Sequence, residues 1–437
     1  MRRIAWPLTL LAILLLAVVL NIGFRAGGEA SGDAREYLGA AQELRTTGRL
    51  PAAGREPGYP LLLAGLMATT PLGRLAPSCL LPGAACEPAL FRPAQWANVI
   101  LAIGAAALTG WTAWRLTGAV FAGTIGFGYV ALNLQMLRGR WEVLSDHLAL
   151  FLLALLLATL VAWLRTPSHG RAIAAGLAAA ALVLTKAIWV WAVLLGAALA
   201  LLSGRMRPRG TWLGLAVAGI PILGWVARNG AANGNFALTD KRGGLALSTR
   251  EVFVHMTPTE LLCGWVFWTR GIGDALAARL FPPEVWRRFD VVTPGGFYDI
   301  GQNRYEPWVA RLAAERGVDL SAARRLVDGE LVSAMLAQPL GWLTSWPVLV
   351  WRGIWIDEFV VFGFPALLVG TLWAVRRRQV PWLAAFCLGW FSLLGYAALS
   401  LNVPRYQIPA VPVLALAAAW AGWQLVERRR LRQAAHP

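Results

Sequence analysis

The sequence predicts an all-α, polytopic membrane protein, and three observations carry that prediction. Hydrophobic residues fill 57% of the 437 positions and charged residues only 14%, whereas soluble domains run at about a quarter charged. Long apolar blocks recur from Leu8 to Val426, several near the ~20 residues a helix needs to cross a bilayer. Sustained period-two alternation, the mark of spanning strands, is missing from the pattern.

Ten spans follow in order: Leu8–Phe24, Trp96–Leu116, Val120–Met136, Leu148–Leu164, Ala172–Leu184, Ile188–Leu202, Trp212–Ala227, roughly Trp346–Trp373, Pro381–Leu401 and Ile408–Val426. The first follows Met1-Arg-Arg and reads as an uncleaved span, because Ala26–Ala30 makes a poor signal-cleavage site. The net charge of +17 raises the prospect of nucleic acid, but its placement excludes that reading. Arginines cluster in short connections, at Arg205/Arg207/Arg209, Arg376–Arg378 and Arg428–Arg432, as positive-inside topology requires. With the N-terminus cytoplasmic, ten spans put these clusters and the C-terminus on the cytoplasmic side. Counting Pro57–Leu75 as an eleventh span inverts them. That segment is therefore expected to dip into the outer surface and return, with Pro57 and Pro60 as a bend feeding a short helix from Leu61.

The chain reads as one membrane domain, residues 1–437, without internal repeats. Its outer elaborations are a first loop, 25–95, the short turn Leu137–His147, and a large loop, 228–345, which precedes the C-terminal spans of 346–437. In the first loop a helix is expected over Ala34–Thr47, ended by Gly48. In the large loop Leu320–Gln338 reads as an amphipathic surface helix capped by Ser321, with Leu326, Val327, Leu331, Met335 and Leu336 on one face. Cys79 and Cys86 share one short loop and can pair if it faces an oxidising compartment. Cys387 lies in an apolar block as a small hydrophobe, and the cysteines show no metal-ligand spacing.

The unusual ionisable residues gather on the outer side: Asp33, Glu36, Glu142, Asp146, Lys186, Arg228 and Arg405. Each has an ordinary structural reading. Asp33 can cap the helix that follows it, and Ser145 with Asp146 can cap the fourth span. Lys186 and Arg405 can snorkel to headgroups, and Arg228-Asn229 can anchor topology. Tyr37 and Tyr59 can belong to the interfacial belt, and His147 to a helix start. Together, outward acids beside several outward cations suit chemistry on a phosphorylated lipid. Cations neutralise a phosphate leaving group, and a carboxylate accepts a proton from an attacking hydroxyl.

Six stretches in series resemble the polyprenol-phosphate-sugar-dependent glycosyltransferases of the GT-C membrane fold, the group of protein mannosyltransferases, lipid A aminoarabinose transferases and lipopolysaccharide-core relatives. They are Gly32-Asp33-Ala-Arg-Glu-Tyr37, Arg55-Glu-Pro57-Gly58-Tyr59-Pro60, Leu144-Ser145-Asp146-His147-Leu148, and Gly176 through Thr185-Lys186. Trp225-Val-Ala-Arg228-Asn229 with Gly243-Gly244-Leu245 comes next, then Pro404-Arg405-Tyr406-Gln-Ile-Pro409. The third departs from the group's Ser-Glu-Pro-Leu pattern, with Asp for Glu and His for Pro. The resemblance implies an inverting transferase of a bacterial inner membrane, with its active site facing the periplasm. Its donor would be a polyprenyl-phosphate-linked sugar, and its acceptor a hydroxyl or amine on a glycan, lipid or protein. It implies Asp33 as catalytic base and Asp146 as a second or supporting acid. Lys186, Arg228 and Arg405 would serve the lipid phosphate, with Arg55, Tyr59 and Tyr406 shaping the cavity. No cofactor is implied, although the Asp146-His147 pair leaves a divalent metal open.

Three rivals remain at this stage. A ligase or polymerase of the same architecture would use a pyrophosphate-linked donor. A transporter or flippase of lipid-linked solutes calls for midplane charges or repeats, whereas the charges here are terminal and one-sided. A catalytically dead scaffold would keep the fold alone.

Overall fold

Backbone amides in hydrocarbon must find partners within their own segment, and every regular element among the described residues is helical. The computed structural model describes residues 9, 11–17, 19–20, 32–50, 55–81, 86–139, 142–202, 209–239 and 242–435. Only the helical residues between 9 and 20 are described from the first expected span, so both its ends and the Met1-Arg-Arg topology signal lie outside the described residues. Arg205 and Arg207 do also.

Among the described residues five stretches are long and apolar enough to cross a membrane: Pro88–Thr117, Asp146–Arg165, Thr211–Ala232, Val380–Leu399 and Pro404–Gln433. Val120–Ala131, His169–Val183, Trp189–Leu199 and Val360–Arg376 are shorter apolar helices at expected span positions. Their shared core runs through Ala106, Leu153, Leu157, Leu367, Phe386 and Leu414. Small residues let the backbones approach. A methyl added at Gly110 would lie 2.8 Å from the Gly123 carbonyl oxygen.

Two expected spans are shorter than the apolar pattern suggests. Val120–Met136 stops at Ala131, and Asn133 Oδ1 accepts from the Met136 amide at 3.0 Å to start a separate short helix, Leu134–Gly139. The single span over Trp346–Trp373 is two helices, Pro339–Ile354 and Val360–Arg376. Asp357 and Glu358 fall at the break, where a helix end leaves carbonyls without partners. Arg270 from the large loop supplies them, donating to Ile356 O at 2.9 Å and Trp355 O at 3.2 Å while pairing with Glu358 at 2.9 Å.

The first loop folds as a layer of its own. Helix Gly32–Thr47 packs Tyr37, Leu38 and Ala41 against Tyr59, Leu63 and Met67 of helix Gly58–Thr69. The second helix starts at Gly58, not Leu61, because Pro60 fits a first turn that needs no amide donor. Its 12 residues reach about 18 Å, against a hydrocarbon thickness of ~30 Å. Cys79 and Cys86 form a disulfide beside it.

The large loop docks through helix Arg242–Val254. Arg250, fully buried, donates to Ala397 O and Ser345 Oγ at 3.0 Å each and to Trp342 O at 2.9 Å. These bonds clamp the helix to the C-terminal spans and fix where its first residue, Arg242, falls. Helix Leu320–Ala337 is capped by Asp319, whose carboxylate accepts from the Ala322 amide at 2.8 Å, and not by Ser321. Its Val327 and Leu331 pack against Tyr305, Val309 and Leu312. Much of the expected lipid-facing stripe therefore meets protein, with Leu326 and Leu336 left exposed.

The disulfide is directly testable. Denatured without reductant, the chain should take up two thiol labels, on Cys263 and Cys387, and four after reduction. Four labels before reduction would remove the pairing.

Candidate active site

Ionisable groups at a membrane boundary need partners, and this chain gathers them from distant segments into one cavity of about 480 Å³. Asp33 lies in the first turn of Gly32–Thr47, Arg55 and Glu56 precede Gly58–Thr69, and Ser145 and Asp146 begin Asp146–Arg165. Lys186 occupies the turn after His169–Val183, Arg242 opens the docking helix of the large loop, and Arg405 and Tyr406 lie in the 3-10 turn Pro404–Ala410. Tyr396, near the end of Val380–Leu399, closes the wall.

The charges pair with one another. Asp33 Oδ1 accepts from Arg55 at 2.6 Å and Arg242 at 3.1 Å, and its Oδ2 accepts from Arg405 at 2.7 Å. Glu36 Oε2 accepts from Arg55 Nε and from Arg242, both at 2.7 Å. Asp146 Oδ1 takes Lys186 Nζ at 2.6 Å, while its Oδ2 lies 3.5 Å from Arg405 Nε. Arg405 thus bridges the two aspartates. Burial pushes the Asp33 carboxyl up, but Arg55 and Arg405 outweigh it and hold the group below the usual carboxylate range. Burial likewise raises Glu142 at the nearby turn, with Arg405 opposing it only in part.

The capping readings of both aspartates give way to this geometry. Asp33 spends its oxygens on guanidinium groups rather than helix amides, and Ser145 makes no side-chain cap bond. Its Oγ instead meets Tyr37 OH at 2.9 Å. Lys186 and Arg405 do not snorkel outward; each holds an acid.

A second layer fixes the charged groups. The Arg55 guanidinium stacks 4.2 Å above Tyr37, whose ring meets Tyr59 edge-on at 5.1 Å. Tyr59 is buried behind the wall and only supports it. Glu56 Oε1 accepts from the Ala187 amide at 2.9 Å, and Gly58 N donates to Leu184 O at 2.8 Å. The loop carrying Arg55 is thereby laced to the turn carrying Lys186. Arg228 is not among the lining residues. It stacks 4.9 Å from Trp225 and donates to Asn229 Oδ1 at 3.1 Å and to the Leu50 carbonyl. His147 is buried in the helix start, with Nε2 3.3 Å from Met136 O. Among the described residues no group of three or more His, Cys, Asp and Glu could hold a metal ion.

Arg242, Glu56 and Tyr396 line the site without having been singled out in the sequence. Arg242 directly precedes Gly243-Gly244-Leu245, which was the available signal. Glu56 lies inside the Arg55–Pro60 stretch, and Tyr396 is hidden in an apolar span. The lining also includes the apolar Leu144, Ile188, Val190, Leu238 and Leu247. Trp191, in the lining too, forms an exposed apolar face with Leu194, Leu195 and Leu199 along helix Trp189–Leu202.

No family model matches the sequence, and no curated protein matches it. Among solved structures, the oligosaccharyltransferase of Archaeoglobus fulgidus in its apo form is similar at 14% identity and a TM-score of 0.47, over 97% of this chain and 52% of that one. The archaeal oligosaccharyltransferase AglB from the same organism, in complex with an inhibitory peptide and a dolichol-phosphate, gives 13% identity, a TM-score of 0.45 and the same coverages of 97% and 52%. ArnT from Cupriavidus metallidurans bound to undecaprenyl phosphate gives 15%, 0.38, 96% and 78%. The chain spans about half the length of the archaeal structures. Superpositions this partial assign no activity, so the chemistry of the cavity has to carry one.

The lacing makes a sharp demand on Gly58. A methyl there would lie 2.3 Å from Thr185 Oγ1 and 3.0 Å from Leu184 O. Gly58→Ala should cost about 1–3 kcal/mol, seen as a lower thermal unfolding midpoint in detergent. Adding Thr185→Ala should recover part of the loss, because the carbonyl contact remains. A wild-type midpoint for Gly58→Ala would undo the close approach.

Proposed function

We propose that the chain is a membrane glycosyltransferase of the GT-C type, transferring a sugar from a polyprenyl-phosphate donor to an acceptor hydroxyl or amine. One observation carries the reading. Arg55, Lys186, Arg242 and Arg405 converge with Asp33 and Asp146 in a cavity that also has apolar lining, of which Trp191 belongs to an exposed apolar helix face. Such a site offers cations for a phosphate, a groove for an isoprenoid chain and carboxylates for a proton. The six motif stretches support the same reading, and five of them supply charged residues to the cavity.

In the proposed reaction the acceptor oxygen or nitrogen attacks the anomeric carbon while the bond from that carbon to the phosphate oxygen breaks. The electron pair leaves with the lipid phosphate, which the cations neutralise, and the acceptor proton passes to Asp33. A single displacement inverts the anomeric centre. Lys186 and Arg405 are the proposed phosphate ligands, Asp146 their buried counterion, and Tyr406 and Arg55 the walls that orient them. Arg228 would act at the edge, through the Leu50 carbonyl. Disulfides persist in oxidising compartments, and Cys79–Cys86 lies in the layer that carries Asp33 and Arg55. That supports a cavity facing the periplasm from a bacterial inner membrane.

Membranes containing the protein, given labelled polyprenyl-phosphate sugars and envelope extracts, should transfer label to an acceptor. Asp33→Asn should lower the rate by roughly 10²–10⁴-fold. Undiminished transfer by that variant would sink the base assignment. Preference for diphosphate-linked donors would replace the reading with that of a ligase.

A further inference from the structure

The four cations of the cavity share three carboxylates. Arg55, Lys186, Arg242 and Arg405 are all engaged, by Asp33, Glu36 and Asp146. An entering phosphate finds no cation without a partner, and Asp33 has both oxygens committed to guanidinium groups. A carboxylate held by three guanidinium groups is a weak base, because each cation favours its charged form.

The engagement is incomplete on the cation side. Arg242 Nε and Arg405 Nε are buried donors without a hydrogen-bond partner among the described residues. Arg405 Nε faces Asp146 Oδ2 at 3.5 Å, beyond the distance of a good bond. The donor's phosphate, a diester of lipid and sugar, carries one charge and two terminal oxygens. It can take a guanidinium fork in bidentate fashion where a shared carboxylate cannot.

Taking the proposed function as its premise, we propose that Asp33 and Glu36 hold the donor phosphate's place. The phosphate takes Arg242 and Arg405 from them, and so frees Asp33 to receive the acceptor's proton. Arg242 is the positioning residue of this exchange. It opens the helix that Arg250 clamps to the C-terminal spans, so its side chain swings while its backbone stays. The base becomes available only with donor bound, which disfavours reaction of an acceptor in a site lacking donor.

An exchange of this kind makes an unusual demand: the variant that loses catalysis should bind donor phosphate more tightly. Purified full-length protein in detergent would be titrated, without acceptor, with a labelled polyprenyl-phosphate sugar. Asp33→Asn, which removes the charge that Arg55, Arg242 and Arg405 share, should bind at least tenfold tighter than wild type. Glu36→Gln should bind roughly threefold to tenfold tighter and serves if Asp33→Asn does not fold. Glu142→Gln is the control for field alone. Glu142 feels Arg405, Asp146 and Asp33 but holds none of the four cations among the described residues, so its neutralisation should change affinity by less than about threefold. Inorganic phosphate should follow the same ranking more weakly, and equal affinity would remove the lipid from the proposal. Binding by wild type with no gain in Asp33→Asn and Glu36→Gln overturns the exchange and leaves the proposed function standing. Equal gains in all three variants also overturn it. No binding by any of the proteins overturns both.

Discussion

A guanidinium or ammonium at the edge of hydrocarbon needs partners, and around the cavity those partners are acids. Arg405 meets Asp33 across 372 residues of sequence and Asp146 across the intervening bundle. Through those contacts the start of the last long helix, the first outer loop and the fourth expected span are tied at one point. Removing one partner of such a pair costs more than the pair itself contributes, because it strands the other charge. The cost is about 3–5 kcal/mol when the pair is buried. The geometry is therefore held by the expense of breaking it.

Uncharged contacts bring those acids and bases to the same level. Glu56 and Gly58 lace the first loop to the Lys186 turn, and the Tyr37–Tyr59 pair fills the space beneath Arg55. Arg250 does for the large loop what these do for the first. Its three acceptors are carbonyls and a hydroxyl, so it acts as a clamp with no acid beside it. Arg270 closes the break between Ile354 and Val360 in a similar way. In this chain arginine is as much a backbone capper as a charge.

Apolar periodicity made the helices legible, because a block such as Leu148–Leu164 has few other options. It could not show where a helix breaks inside an apolar run. Asn133 and the Asp357-Glu358 pair interrupt helices by local hydrogen bonding and charge, which a hydropathy pattern averages away. The site was legible where charges sat in recognisable motifs: Asp33, Arg55, Asp146, Lys186, Arg405 and Tyr406 all meet in the cavity. Arg228 lies outside it because helix Thr211–Asn233 runs on past it, a consequence of length rather than chemistry. Arg242 was not legible as a site residue. Its place depends on Arg250 two turns later finding Ala397, Ser345 and Trp342, and no local pattern encodes that meeting.

Asp33 and Asp146 share Arg405, yet their surroundings divide their work. The Asp146 side chain is only 4% exposed and is held by Lys186, itself 14% exposed. Separating them would leave an ammonium in low dielectric, so Asp146 is a permanent counterion that keeps Lys186 charged and in place. The Asp33 side chain is 26% exposed, and two of its arginines, Arg242 and Arg405, are about a third exposed. Those side chains can turn toward an anion arriving from the open side at little desolvation cost. The more accessible aspartate is thus the one whose partners can leave it, and that difference is why Asp33 rather than Asp146 is the proposed proton acceptor.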